Sequence, residues 1–553
     1  MSTGKRLVVL LCALGSILCP VSAEDIDFWS DYPPEELTEA LISRMTDEEL
    51  FAQILMFGWA GQEPSELLNR WVLERGLGSV KLFGWNTDNT MQVARSVTAL
   101  QTKAETRRFK IPLFVATDQE GGIIRHVKGD TSNTPGNLAI GASGYPMDAW
   151  YSGYYIGREL KALGINMNFA PTIDLYSSLD SSVIGPRSFG DNPEAAGVLG
   201  ALFAAGTQAA GVIPTAKHFP GHGDTGVDSH GRLPAINVDR ETFLNREVTP
   251  FRYVINEGIA AIMSGHLSFP RILPDGEPAS LSKTMLTGFL RGELGFQGLI
   301  ITDDMRMNGA IVYTGNLSSA YRMAIEAGND IIISSTTAAL NEALWQQNLA
   351  LMRASPEFRA RVTDAARRVL YAKLVYFKSE NSVPVFPDME KIPSLVPDRE
   401  GEPFFLNLAC RSITLAKQGK AFPYRSAPGE RVLLAGQFPA FFDAGSSRYP
   451  AASVFRFVSG AADTSSRLAQ AAAASDTVIL CVADEESAAL ARQLQNSGKT
   501  LVVISVTSPV PAFNLDRADT VLYAYSTSPY SLEAAFGVLA GEFVPRGVLP
   551  ITR

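Results

Sequence analysis

Three of the five histidines in this 553-residue chain fall between Lys217 and His230, in the run Lys217-His218-Phe219-Pro220-Gly221-His222-Gly223-Asp224-Thr225-Gly226-Val227-Asp228-Ser229-His230. A side chain that titrates near neutrality, set among glycines and beside aspartates, is what general acid/base chemistry requires, whereas a packed core needs few histidines. Asp228-Ser229-His230 suits a carboxylate that orients an imidazole and raises its pKa, leaving the other ring nitrogen to exchange a proton with a substrate. The alternative is a metal site, since His218, His222 and His230 with Asp224 and Asp228 offer enough ligands. Against it, Phe219-Pro220-Gly221 opposes a helix between His218 and His222, and the glutamate of a zinc-protease helix is missing. The expectation is a proton-transfer dyad with no metal and no other cofactor.

A second candidate lies in Thr302-Asp303-Asp304-Met305, which follows the apolar run Leu299-Ile300-Ile301. A carboxylate at the end of a buried strand can act as a nucleophile toward an anomeric carbon or as a ligand for a hard cation. Asp303, nearer the strand, is the expected nucleophile, and Asp304 is expected to cap the next helix. Thr117-Asp118-Gln119-Glu120-Gly121-Gly122 and Gly185-Pro186-Arg187-Ser188-Phe189-Gly190 are loops where small residues allow a ligand to approach. Asp118, Arg187 and Lys217 can hydrogen-bond hydroxyl groups.

Such residues, far apart in the chain, need elements that bring them together. Eight short apolar runs recur between about residue 50 and residue 377: 52–57, 79–83, 113–117, 165–169, 212–216, 260–264, 299–302 and 330–334. Helical stretches separate them. Runs without polar alternation suit strands buried on both faces, and intervening helices supply the crossovers that parallel strands need. Two architectures fit, a (β/α)8 TIM-type barrel and a doubly wound open sheet. The polar residues favour the barrel. Asp118, Asp174, Lys217 with His218, His266 and Asp303 each follow one of the runs, and a barrel gathers strand C-termini into one mouth.

At 553 residues the chain is too long for one ordinary core, so a second domain is expected. Residues 24–378 read as the barrel, and 379–403, with Pro384, Pro387, Pro393, Pro397 and Pro403, as a linker. Residues 404–553 read as a smaller α/β sandwich domain with strands at 432–435, 478–482, 501–506 and 521–525, and with no histidine. The formal charge of −9 argues against nucleic acid or anionic lipid as a partner. Residues 1–23 read as an export signal: Lys5-Arg6, an apolar run from Leu7 to Leu18, then Val21-Ser22-Ala23. That implies a periplasmic or extracellular protein with no membrane-spanning segment after cleavage. Cys19 offers a lipid anchor as the alternative, although Leu18 is bulky for the position before a lipidated cysteine. Cys410 and Cys481 would remain, too few for a disulfide framework.

Taken together, Asp118-Gln-Glu-Gly-Gly, Arg187-Ser-Phe-Gly, the loop from Lys217 to His230, Thr302-Asp303-Asp304 and Arg411-Ser-Ile-Thr-Leu resemble the family 3 glycoside hydrolases, in their two-domain, exported β-N-acetylhexosaminidase branch. The resemblance runs from about Thr46 to Arg553. It implies Asp303 as nucleophile, His230 as acid/base and Asp228 as its partner, with sugar contacts from Asp118, Arg187, Lys217 and His218. It also implies a substrate bearing N-acetylglucosamine, from peptidoglycan fragments or chitooligosaccharides. One departure stands out. Four residues after Gly121-Gly122 the branch usually carries arginine, whereas this chain has His126, with Arg125 just before it. Adjacent side chains of an extended segment point to opposite faces, so Arg125 does not replace the usual contact unless the loop shifts, which leaves two candidates for it, His126 and Arg125. The competing readings are a β-glucosidase or an N-acetylglucosamine phosphorylase of the same fold, a metallohydrolase, and a non-catalytic exported sugar-binding protein.

Overall fold

All eight apolar runs become parallel strands of one closed barrel. The computed structural model describes residues 26–181, 183–226, 231–273 and 275–553. In chain order the strands are β1 (Leu55–Phe57), β2 (Ser79–Lys81), β3 (Phe114–Thr117), a small hairpin of β4 (Gln119–Gly121) and β5 (Ile124–Arg125), β6 (Met167–Asn168), β7 (Ile213–Phe219), β8 (Ala261–Ser264), β9 (Leu299–Asp304) and β10 (Ile331–Ser334). The barrel closes in the order β1-β2-β3-β6-β7-β8-β9-β10. Helices cover the outside, so residues such as Ile331, Ile332 and Ile333 are buried whichever way they point. Among the described residues no helix is long and apolar enough to cross a membrane.

The helix Pro356–Phe377 shows how local sequence and packing agree. Ser355 caps it by accepting from the Phe358 N–H at 3.2 Å, and Pro356 sits at the first helical position, where its missing N–H costs nothing. Phe358, Val362, Ala366, Val369, Lys373 and Phe377 are buried at helical spacing. Lys373 reaches the barrel's N-terminal end, where its ammonium donates to the Gly78 carbonyl at 2.6 Å and to Gln53 Oε1 at 3.1 Å.

Two strands run further than the sequence pattern indicated. β7 continues through Lys217 and His218 to Phe219, which pairs with Ser264, and β9 continues to Asp304, which pairs with Ile333. In both places the register shifts between neighbouring strands, and such irregularities re-aim side chains at a barrel rim. Polar residues could not be recognised as strand from alternation alone, because the partner strand supplies the pairing.

The second sheet has six strands: β11 (Thr414–Lys417), β12 (Val432–Gly436), β13 (Ser453–Arg456), β14 (Thr477–Val482), β15 (Thr500–Ser505) and β16 (Thr520–Tyr523). Their order is β11-β16-β15-β14-β12-β13, with only β11 antiparallel to its neighbour. Helices on both faces bury separate apolar layers. The edge strands β11 and β13 escaped the sequence reading because they are short and partly exposed. In the proline-rich stretch a short helix spans Ile392–Leu395, and the helix Gly401–Ser412 crosses residue 403. Cys481 is buried and Cys410 partly buried, both as free thiols.

The two domains meet over polar and apolar contacts. Arg411 forms a two-pronged ion pair with Asp148, with Nη2 at 2.5 Å and Nε at 3.1 Å from the carboxylate. The chain's last residues lie along the barrel: Asp191 N–H donates to the Pro550 carbonyl at 3.1 Å, and the Thr552 N–H donates to Asp191 Oδ2 at 2.6 Å. Gly190, at φ +144°, leaves room for this tail, since a Cβ there would lie 2.3 Å from the Pro550 oxygen.

Candidate active site

Strand register puts the first acidic residue in place. Lys81 pairs with Ala116, so its side chain shares a face with Ala116 and, two residues on, with Asp118. The two meet: Lys81 Nζ lies 2.8 Å from Asp118 Oδ2. From β7, Lys217 Nζ lies 2.5 Å from Asp118 Oδ1 and 2.7 Å from Glu120 Oε1. Arg187 then grips Glu120 with both prongs, at 2.9 and 2.7 Å. Burial opposes ionisation of both carboxyls, but the cations outweigh it. Lys217, Lys81 and His126 hold Asp118 well below the usual carboxylate range, and Arg187 and Lys217 bring Glu120 down to about 2.

Glu120 lies two residues after Asp118 in the same motif, and its task shows only in the fold. It is 1% exposed and anchors two cations of the site. Glu120→Ala is expected to destabilise the fold by ~3–5 kcal/mol, because it strands buried charge on Arg187 and Lys217. Urea unfolding of the variant against the parent measures this.

A second carboxylate–imidazole pair lies across the mouth. Asp174 sits beneath the histidine loop and accepts from His218 Nδ1 at 2.6 Å, from the His218 N–H at 3.1 Å and from the His222 N–H at 2.7 Å. These contacts and the two imidazoles outweigh burial and lower its pKa. The Lys217–His218 peptide bond that joins the two clusters is cis. His222 is itself buried, which pushes its pKa down to about 4. Asp228 and His230, the expected acid/base pair, lie outside the described residues. Their flanks are held: Asp224 pairs with Arg246 at 2.6 Å, and the Gly231 carbonyl accepts from Asn308 Nδ2 at 3.4 Å, five residues beyond Asp303.

Under this loop Glu247 is buried against Arg246, 2.7 Å from its Nε. Burial exceeds the help from Arg246 and pushes its carboxyl up to about 7. The folded state therefore holds this proton more tightly than the unfolded chain, whose ordinary value is 4.5. The associated stability is present below that value and lost as the pH rises through about 7. Glu247→Gln is expected to flatten this part of the curve of urea midpoint against pH.

Asp303 completes the constellation from β9. Burial opposes its ionisation, yet His218, His266, Lys81 and the Asp304 N–H at 2.7 Å bring its pKa down to about 2. It is therefore ionised at neutral pH, as a nucleophile must be. His266 is fixed by Ser280 Oγ at 2.6 Å and the Asp304 carbonyl at 3.1 Å. Asp304 does not cap a helix, contrary to the expectation. The next helix, Asn308–Thr314, has no side-chain cap, and Asp304 Oδ1 instead accepts from the Arg306 and Ser335 N–H groups at 3.0 Å each. Its position inside β9 ties that strand to the loop after β10.

The β4–β5 hairpin settles the neighbouring pair Arg125 and His126. Arg125 Nη1 donates to the Thr131 carbonyl at 2.7 Å and to its Oγ1 at 3.1 Å, turned away from Asp118. The His126 N–H donates to the Asp118 carbonyl at 3.0 Å, and its Nδ1 lies 3.4 Å from Asp118 Oδ2.

Sequence comparison agrees with this arrangement. The profile of the glycosyl hydrolase family 3 N terminal domain matches residues 45–372. The chain belongs to glycosyl hydrolase family 3. Among relatives in the family, the beta-hexosaminidase A of Pseudoalteromonas piscicida is 39% identical over 263 residues, which cover 45% of this chain and 43% of that protein. The chain thus matches less than half of that relative's length. The beta-hexosaminidase of Thiobacillus denitrificans is 33% identical over 289 residues, 50% of this chain and 77% of that one. A solved family 3 beta-N-acetylglucosaminidase from a Paenibacillus species superposes with a TM-score of 0.82 at 29% identity, covering 92% of this chain and 99% of that one. Both domains of this family 3 protein therefore have a counterpart in a solved relative.

Proposed function

We propose that the protein is an exo-acting, retaining β-N-acetylglucosaminidase that removes terminal β-linked N-acetylglucosamine from peptidoglycan fragments or chitooligosaccharides. The observation that carries this reading is a half-buried, ionised Asp303 at a barrel mouth that also gathers Asp118, Lys217, His218 and Arg187. The name of the solved relative points to the same sugar, and those of the two sequence relatives to a β-hexosaminide. In this reading Asp303 attacks the anomeric carbon while His230, charged beside Asp228, protonates the departing oxygen. A glycosyl-aspartate forms and the aglycone leaves. His230, now neutral, takes a proton from water, which attacks the same carbon and releases the sugar with its original configuration. Export through residues 1–23 belongs to the same proposal, and rests on the basic, apolar and small-residue pattern of that segment.

The test follows a 4-nitrophenyl N-acetyl-β-glucosaminide by proton NMR at early times, in matched buffers with and without phosphate. N-acetylglucosamine appearing first as the β anomer supports the proposal. An initial α anomer rules out double displacement. A β-1-phosphate formed when phosphate is present would identify a phosphorylase, and no cleavage would favour the β-glucosidase or binding-protein readings.

A further inference from the structure

Lys81 has no part in the sequence motifs, yet it is the least easily explained charge in the barrel. It is 5% exposed. Its ammonium sits between aromatic faces, 4.4 Å from the Phe83 ring centroid and 5.1 Å from that of Phe169. An apolar run such as Ser79-Val80-Lys81-Leu82-Phe83 would bury any aliphatic residue at this position without the cost of desolvating a charge. The Lys81 charge favours the ionised forms of Asp118 and Asp303, but it is not the only cation beside these acids. Lys217 and Arg187 already balance Asp118 and Glu120, two cations against two anions.

What Lys81 faces is an incomplete polar corner. Asp118 Oδ2 is buried and accepts no hydrogen bond from the described residues, although the ammonium lies in ion-pair contact with it. His126 Nδ1, 3.4 Å from the same oxygen, is likewise buried without a hydrogen-bond partner. A carboxylate oxygen has lone pairs for more than the one cation that Oδ2 meets, and here this acceptor, the ammonium and the imidazole converge on one place. A sugar hydroxyl satisfies them together, since it donates its proton to a carboxylate and accepts from an ammonium or imidazole N–H.

We propose that Lys81 is a further substrate-binding residue, which donates to the oxygen of the same sugar hydroxyl whose proton Asp118 Oδ2 accepts. His126 closes the corner from the hairpin. The site therefore selects for a ring position that bears a hydroxyl, and Lys81 sets how strictly. This rests on the glycosidase reading, and turnover of the parent aryl glycoside by the wild-type protein tests that reading separately.

The experiment compares wild type, Lys81→Met and Lys81→Arg on 4-nitrophenyl N-acetyl-β-glucosaminide and on its 3-, 4- and 6-deoxy analogues. Methionine keeps the length and removes the charge, and the remaining balance of Lys217 and Arg187 should let it fold. On the parent substrate Lys81→Met is expected to lose about 10- to 100-fold in kcat/KM, as for a hydrogen bond involving a charged group. Lys81→Arg should lose less. On the one analogue that lacks the bound hydroxyl, the difference between Lys81→Met and wild type should nearly vanish, because partners in one contact are not additive. The same penalty on every analogue would show a structural role and overturn the proposal, as would no penalty at all. Lys81→Gln serves in the same comparison if the methionine variant unfolds. Wild type alone provides an independent arm: if it cleaves all three deoxy analogues as well as the parent, no buried hydroxyl contact exists and the proposal fails.

Discussion

Asp303→Ala is expected to reduce kcat on any aryl N-acetyl-β-glucosaminide by at least ~10⁴-fold, the scale seen when a covalent nucleophile is removed. The variant should remain folded, because Asp303 makes its ordered contact with a backbone N–H, that of Asp304, and the strand around it is held by pairing with β8 and β10. Removing the carboxylate leaves His218, His266 and Lys81 in a pocket now short of one anion. Small anions should therefore enter it. Added azide is expected to restore part of the turnover on a reactive aryl glycoside and to yield the α-glycosyl azide, because it attacks from the side that Asp303 has vacated. Near-normal activity without azide, in a variant with an unchanged unfolding midpoint, would remove Asp303 from the mechanism.

The second large effect belongs to His230, and its size should depend on the leaving group. With a poor leaving group such as a sugar hydroxyl, His230→Ala is expected to cost about 10²- to 10⁴-fold in kcat/KM, since departure needs the proton. With 4-nitrophenolate, which leaves without protonation, the same variant should lose little in the glycosylation step. Comparing a chitooligosaccharide with the nitrophenyl substrate separates the two cases. His218 provides the contrast. Its Nδ1 is committed to Asp174, and its influence falls on Asp303, so His218→Ala should impair both substrates alike. If His218→Ala rather than His230→Ala showed the leaving-group dependence, the Asp174–His218 pair would be the acid/base unit.

Much of this site can be read before folding, and for a definite reason. Parallel strands buried on both faces demand unbroken apolar runs, so a polar residue directly after such a run marks a strand's C-terminal end. Asp118, Lys217, His218, His266 and Asp303 were legible on that ground. Lys81 was not, because it stands inside its apolar run, where a charge has no local signature except its oddness. Glu120 was visible in its motif, but its task depends on Arg187, 67 residues further on. Asp304 misled because a carboxylate just before a helix suits a cap, whereas here the strand extends over it and the loop after β10 supplies its donors.

The sequence by itself determined the eight barrel strands and the four inner strands of the second sheet, the barrel in preference to an open sheet, the histidine loop and the identity of the expected nucleophile. These follow from periodicity and residue type, which act over a few neighbours. Only the tertiary structure decided which charges face each other: Lys81 with Asp118, Glu120 with both Arg187 and Lys217, Asp174 with His218, and His126 rather than Arg125 toward the mouth. Those pairings arise from strand register, the fold of one hairpin and the closure of the barrel. They join residues tens of positions apart, and no local pattern specifies such distances.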